Sequence, residues 1–337
     1  MINDPPCPVC NEQDWRVLGV RAYGRASQTR RNPYVQKRLD VMFDVWLDGV
    51  SEVSLNSLLC QHCGFVCYAP RPTEAEITAK YEFLSKDPAT HNEISRTLKS
   101  DRQRSQALLI LLTPYLEPKS RVLDFGGGNG RLMAAFVEAG HDCYLVDFSV
   151  NPIPGVNHLG SDLGAIGNQK TWDLVVISHV LEHLADPAKA VREVRRLVAA
   201  DGLLYVEVPL EIWRHPPLAE EPVTHINYFT EDSVRILLQR EGYDVLRCQT
   251  GPYTTEDGGI GLAVRAFARP DDGASLAVTY DGCAARSLRL VSPGFLTRAA
   301  RGLRYPALVR RDIRRMLARR LATLPLLWRL SPGNRRA

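Results

Sequence analysis

The chain has no long apolar run. The longest candidate, around Ala107–Leu112, stops at Thr113-Pro114, well short of the ~20 residues that cross a bilayer as a helix. This argues against a polytopic membrane protein. The opening residues, Met1-Ile2-Asn3-Asp4-Pro5-Pro6, lack a basic patch followed by an apolar stretch, so the expectation is a cytoplasmic location. Lysine is missing from one region. From Arg286 onward there are fourteen Arg, no Lys and a single acid, Asp312. That segment carries a surplus of thirteen positive charges, which leaves nine negative on the remainder of a chain whose net charge is +4. Cysteine is sparse, with eight residues, four of them in two close pairs. Against these absences, 45% hydrophobic and 24% charged residues exclude a disordered or collagen-like chain. A length of 337 residues predicts two or three folded units.

The paired cysteines, Cys7-Pro8-Val9-Cys10 and Cys60-Gln61-His62-Cys63-Gly64, mark the first unit. A CxxC turn aims two thiolates at one point, and a following Gly permits the tight turn. Two such knuckles make a tetrahedral four-cysteine site suited to structural Zn²⁺. Disulfides are the alternative, but nothing indicates an oxidising compartment. Four thiolates leave no open position for water, so the expected role is scaffold or lid. His62 and Cys67 are spare donors nearby. The alternating run Val41–Trp46 reads as a strand. Pro70-Arg71-Pro72-Thr73 closes the module at residue 72, and Thr73 with Glu76 forms a capping box. Residues 73–119 read as a helical connector.

Arg121-Val122-Leu123-Asp124-Phe125-Gly126-Gly127-Gly128-Asn129-Gly130 is a short apolar strand entering a glycine-rich turn and then a helix, Arg131–Ala139. Such a turn lets backbone approach a ligand. Asp124, just before the first Gly, would repel a pyrophosphate and welcome a cationic amino-acid group. Cys143–Val146 is a second strand, ending in Asp147, where a carboxylate can accept two ribose hydroxyls. Strands follow at Val156–Leu159, Trp172–Ile177 and Leu203–Val208, with a helix capped by Asp186-Pro187. This alternation means a parallel, doubly wound sheet with ligands at the strands' C-terminal ends. A helix from Glu231 and two closing strands, near Tyr243–Gln249 and Gly261–Ala268, complete residues 120–270.

Residues 120–268 resemble a class I S-adenosylmethionine-dependent methyltransferase. The signatures are Ser178-His179-Val180-Leu181-Glu182-His183-Leu184, with Asp186-Pro187, and the later His225-Ile226-Asn227-Tyr228-Phe229-Thr230. The cysteine knuckles and the Pro-Arg-Pro-Thr exit resemble a zinc module that precedes this domain in bacterial proteins acting on sugars or glycans. The fold so implied is α/β: a Rossmann-like doubly wound methyltransferase sheet, with an N-terminal zinc-ribbon-like module and a helical, basic C-terminal tail. The resemblance implies roles by position. Gly126, Gly128 and Gly130 would line the methionine and ribose of S-adenosyl-L-methionine, Asp124 would sit near its amino group, Asp147 would bind the ribose and Asp162 the adenine. The plainer alternatives are a turn residue for Asp147 and a helix cap for Asp162.

Methyl transfer is an in-line displacement in which the enzyme aligns a nucleophile and removes its proton. A hydroxyl acceptor favours a histidine base. His179, at the end of the fourth strand, and His225, in the insertion after the fifth, are the candidates. His183 lies one helical turn further on. These histidines could instead fix loops through backbone hydrogen bonds. A His179/His183 metal pair is disfavoured, since Glu182 is expected to point elsewhere and HExxH is absent. The zinc-bearing sugar C-methyltransferases would show Glu-His before Tyr-Phe. Here Thr224 precedes His225, so O-methylation of a sugar, glycan or small polar molecule is the expectation.

Residues 271–337 stand apart. Val309, Ile313, Met316, Leu317, Leu321 and Leu324 recur at helical spacing among arginines. An amphipathic basic helix suits an anionic membrane surface, or docking on the acidic body. Nucleic acid, through counterion release, ranks last among these. The competing functions are an RNA methyltransferase and a non-catalytic cofactor-binding scaffold.

Overall fold

A computed structural model describes residues 5–25, 36, 39–85, 94–148, 151–166, 171–212, 223–255, 259–271, 278–291 and 303. The chain divides into two compact units, Met1–Pro293 and Gly294–Ala337. Of the second, Leu303 alone falls among the described residues. The amphipathic stretch Val309–Leu324 lies outside them.

The first unit holds two sheets. The smaller takes β1 (Trp15–Gly24), β2 (Glu52–Cys60), β3 (Val66–Ala69) and β9 (Asn227–Tyr228), in that order. Its strands pair antiparallel throughout. The run read as a strand from its alternation is a short helix instead, Met42–Trp46. Met42, Phe43 and Trp46 are buried together, an i, i+1, i+4 set that only a helix turns to one side. Asp44 faces out and pairs with Arg25 at 2.6 Å.

Two helices lead on from this sheet. The first, α1 (Glu74–Ser85), starts at the expected capping box: the Thr73 amide donates to the Glu76 carboxylate at 2.6 Å, and the Glu76 amide to Thr73 Oγ1 at 3.3 Å. The second is α2 (Ile94–Leu112).

The larger sheet contains β4 (Arg121–Phe125), β5 (Asp142–Val146), β6 (Val156–Gly160), β7 (Trp172–Ser178), β8 (Val198–Pro209), β10 (Tyr243–Thr254) and β11 (Ile260–Pro270). Its order is β10-β11-β8-β7-β4-β5-β6. The five central and far strands run parallel, while β11 enters antiparallel between β8 and β10. The short helices α3 (Ala134–Glu138), α4 (Pro187–Arg195) and α5 (Glu231–Arg240) belong to this part. Leu174, Val175, Val176 and Ile177 are all fully buried, as expected of a parallel strand covered on both faces. Leu112, Phe136, Leu145 and Phe267 pack in the same core.

The two sheets are sewn together by the segment after β8. Val66 pairs with Tyr228 across β3 and β9, Phe65 packs on Phe229, and Arg71 donates to Asn227 Oδ1 at 2.8 Å. Asn227 Nδ2 in turn donates to the carbonyls of Leu181 and Leu184, each at 2.7 Å. A further helix, α6 (Cys283–Val291), packs on the second cysteine knuckle. A Cβ on Gly64 (φ +72°) would meet the Cys283 carbonyl oxygen at 2.8 Å. Gly64 is therefore required both by the turn and by this helix.

Candidate active site

The four paired cysteines converge. Cys7 and Cys63 sulfurs are 3.6 Å apart and those of Cys10 and Cys60 3.4 Å. All four are buried and free of disulfides. A tetrahedral ion with Zn–S bonds of 2.3 Å separates its sulfurs by about 3.8 Å, so the cluster could hold zinc. It is closed to solvent.

A cleft of about 490 Å³ opens at the C-terminal ends of β4, β5 and β7, a volume suited to a small-molecule ligand. Gly126, Gly128, Asp147, Asp162, His179 and His183 all line it. The expected Gly130, Asp124 and His225 do not; Gly130 opens the helical turn at Arg131. The glycine turn is left-handed at Gly126, Gly128 and Gly130 (φ +73°, +63° and +76°). The Gly128 amide donates to Asp147 Oδ2 at 2.9 Å, which ties the end of β5 to the turn. Asp162 lines the cleft, and its carboxylate accepts from the Gly164 amide at 2.8 Å as a cap. Tyr81 and Phe148, stacked at 6.0 Å, form an aromatic wall.

Asp124 is fully buried beneath the turn. A Cβ on Gly127 would overlap its carboxyl group, and neither oxygen has a hydrogen-bond partner. Burial, aided by repulsion from Asp147, pushes its pKa up to about 7.

At the other end of the cleft, histidines and glutamates meet. His179 takes a left-handed backbone (φ +58°), and Leu181–His183 is a 3₁₀ turn. Such a turn stacks residues three apart. The left-handed residue and the turn together bring Glu182 to His179 and correct the expectation that Glu182 points away. His179 Nδ1 lies 3.4 Å from Glu182 Oε1 and its Nε2 3.4 Å from Glu207 Oε1. Burial opposes a charged ring there, but the two carboxylates prevail and raise the His179 pKa to about 9. Burial also works against ionised Glu182, yet His179 and His183 hold it down to about 2. Glu207 is likewise held below its usual range. It also accepts from Tyr205 Oη at 3.0 Å and Arg265 Nε at 2.7 Å.

His183 is different. Burial lowers its pKa to about 4, and Nδ1 lies 2.6 Å from the Thr224 carbonyl. A carbonyl only accepts, so Nδ1 carries the proton and Nε2 keeps a lone pair. His225 Nδ1 contacts Glu211 Oε2 at 2.6 Å. Burial disfavours its charge, but Glu211 raises its pKa. The rings of His183 and His225 are 4.8 Å apart. The structure thus brings His179, His183 and His225 into one chain with Glu182, Glu207 and Glu211. Of these glutamates, Glu207 was detectable as a lone charge inside the apolar run Leu203–Val208; Glu211 left no comparable signal.

A parallel sheet closed by an antiparallel hairpin, a glycine turn under an acid and a second acid at the end of the next strand define a class I S-adenosylmethionine-dependent methyltransferase domain. Residues 98–247 match the family described as "Methyltransferase domain", and the chain carries such a domain. It is 30% identical over 139 residues to demethylmenaquinone methyltransferase of Renibacterium salmoninarum, covering 39% of this chain and 57% of that protein. It is 27% identical over 139 residues to the uncharacterized methyltransferase YcgJ of Bacillus subtilis, covering 37% and 54%. The chain thus spans little more than half the length of these curated relatives. Among solved structures, it is similar to 1,6-didemethyltoxoflavin-N1-methyltransferase of Burkholderia thailandensis (20% identity, 62% of this chain and 96% of that one, TM-score 0.48). It is also similar to magnesium protoporphyrin IX methyltransferase of Synechocystis (17% identity, 52% and 86%, TM-score 0.41).

Proposed function

We propose that the protein transfers a methyl group from S-adenosyl-L-methionine to a hydroxyl of a sugar, glycan or other small polar acceptor. The observation that carries this reading is the meeting, in one cleft, of the glycine turn and Asp147 with His179 and His183. Asp147 would hold the ribose hydroxyls and Asp162 the adenine. The backbone at Gly126 and Gly128 would face the methionine portion, and the unpartnered Asp124 carboxyl would answer its ammonium. When bound, the donor supplies a sulfonium methyl group. The residues' task is to align the acceptor oxygen and remove its proton. His179, held as a cation by Glu182 and Glu207, would hydrogen-bond that oxygen, and His225, oriented by Glu211, would take its proton. Zinc at Cys7, Cys10, Cys60 and Cys63 would be scaffold, since four thiolates leave no coordination site open.

A second reading concerns the acceptor. A groove of about 400 Å³ lies against Glu207 and Tyr253 and is walled by Leu108, Ile110, Leu111 and Ile260. The Tyr253 ring is 4.8 Å from that of His179. This favours an acceptor with an apolar body, a class to which the demethylmenaquinone named for one relative belongs.

The test begins with calorimetric titration of S-adenosylhomocysteine into the zinc-loaded protein, followed by methyl-transfer assays on sugar and apolar-chain alcohol acceptors. Micromolar binding and transfer to a hydroxyl support the reading. A folded protein that binds no S-adenosylhomocysteine would end it, and transfer only to apolar-chain alcohols would select the second.

A further inference from the structure

Glu182, His183 and His225 offer one ligand atom each, all within 4.8 Å of one another. Glu182 is 1% exposed. Neither of its oxygens has a hydrogen bond, despite ion-pair contacts to His179 at 3.4 Å and to His183 Nε2 at 3.8 Å. A buried carboxylate with both oxygens unsatisfied is costly unless something charged completes it.

The two histidines are held as metal ligands are held. His183 Nδ1 is engaged by the Thr224 carbonyl and His225 Nδ1 by the Glu211 carboxylate, both at 2.6 Å. In each ring this leaves Nε2 as the coordinating atom. A carbonyl or carboxylate behind the non-coordinating nitrogen fixes ring orientation and increases ligand basicity. The scaffold restrains the same three residues. The Ile226 amide donates to the Glu182 carbonyl at 3.0 Å, and Asn227 spans the carbonyls on both sides of the 3₁₀ turn. His183 opens onto the cleft.

We propose that Glu182, His183 and His225 form a second metal site, which binds a divalent first-row transition-metal ion at the acceptor end of the cleft. Two imidazoles and one carboxylate suit Zn²⁺, Fe²⁺, Mn²⁺ or Co²⁺ and do not suit the all-oxygen preference of Mg²⁺. Three protein ligands with a cleft on one side leave coordination positions for an acceptor hydroxyl, which such an ion would acidify. The buried Lys80, whose Nζ donates to the Val223 carbonyl at 3.3 Å, and the His179 ring oppose a further cation. Glu182, Glu207 and Glu211 favour one. The site goes beyond the methyl-transfer reading, because metal binding is measured without donor or acceptor.

The test is a Co²⁺ titration of the full-length protein whose cysteine cluster already carries zinc. Cobalt bound by nitrogen and oxygen gives weak visible bands without the thiolate charge-transfer absorption of a cysteine site, so the two sites are distinguishable. The parent should take up one equivalent of this kind. Glu182→Gln and His225→Asn should each lose at least tenfold in affinity while zinc at the cysteines and the thermal midpoint are retained. Glu211→Gln, which removes the carboxylate behind His225, should weaken binding by roughly 10- to 100-fold. A parent that binds no cobalt beyond the cysteine cluster overturns the proposal, whatever the variants do. So does a Glu182→Gln protein that binds as tightly as the parent.

Discussion

Two clusters of metal-capable side chains sit in this chain, and they differ in what surrounds them. The cysteine cluster has four buried members. It brings the turn before β1 to the end of β2, and an ion held by four thiolates would have no position left for chemistry. The histidine–glutamate cluster has one buried member and two mostly buried ones, 19% and 23% exposed, reaches a cleft through His183, and keeps charges that the fold does not fully satisfy. A closed cluster stabilises the structure, while an open and under-satisfied one spends stability on function. Breaking the first should therefore cost fold, and breaking the second should cost activity with little change in fold.

The largest effect expected is from Cys60→Ser. Loss of one buried ligand belongs with the changes costing on the order of 4–5 kcal/mol. At about 2–4 °C per kcal/mol, the thermal midpoint should fall by roughly 10 °C or more. An unchanged midpoint in a scanning calorimeter would remove the distinction. His179→Ala should lower kcat by about 10²- to 10³-fold with S-adenosylhomocysteine binding nearly unchanged, and, because Glu182 and Glu207 lose their shared cation, it should also lower the thermal midpoint. Loss of S-adenosylhomocysteine binding in step with kcat would make His179 a structural residue.

Asp147→Ala sharpens the contrast inside the cleft. Loss of charged hydrogen bonds worth roughly 3 kcal/mol should weaken S-adenosylhomocysteine by about 100-fold in calorimetric titration. Asp124 supplies a pH dependence. Its folded pKa of about 7 lies above the ordinary value of 3.8, so between these values the folded protein holds a proton that the unfolded chain has lost. Stability should then fall as pH rises from about 4 to 7 and level off above, and Asp124→Asn should flatten that limb. Denaturant midpoints across this range provide the check. The smallest effect should come from Arg286→Ala. Its ion pair with Asp232, 2.6 Å long, has a half-exposed arginine and should be worth at most about 1 kcal/mol. A larger loss would mean that α6 does more than cover Gly64.

Much of the site was legible in local patterns. Two CxxC knuckles announce a four-sulfur cluster because each pair is set by its own turn. The glycines after Asp124, and Asp147 at the end of the next strand, announce a ligand cleft because strand ends in a parallel sheet converge there. Val41–Trp46 misled, since alternation over six residues fits a strand and a single helical turn nearly as well. Only burial of Met42, Phe43 and Trp46 on one side separates them.

The histidine–glutamate cluster had no such signature. Its members come from the turn after β7, from β8 and from the segment after it, as much as 46 residues apart from His179 to His225. Sequence by itself determined which residues carry sulfur, charge and glycine freedom, because those properties belong to single residues and short turns. Only the tertiary structure decided that Glu182 faces inward and that His225 lies beside His183. The first depends on a 3₁₀ turn with three residues per revolution rather than an α-helical one. The second depends on β9 pairing with β3, a hydrogen-bonded seam between regions that no local pattern connects.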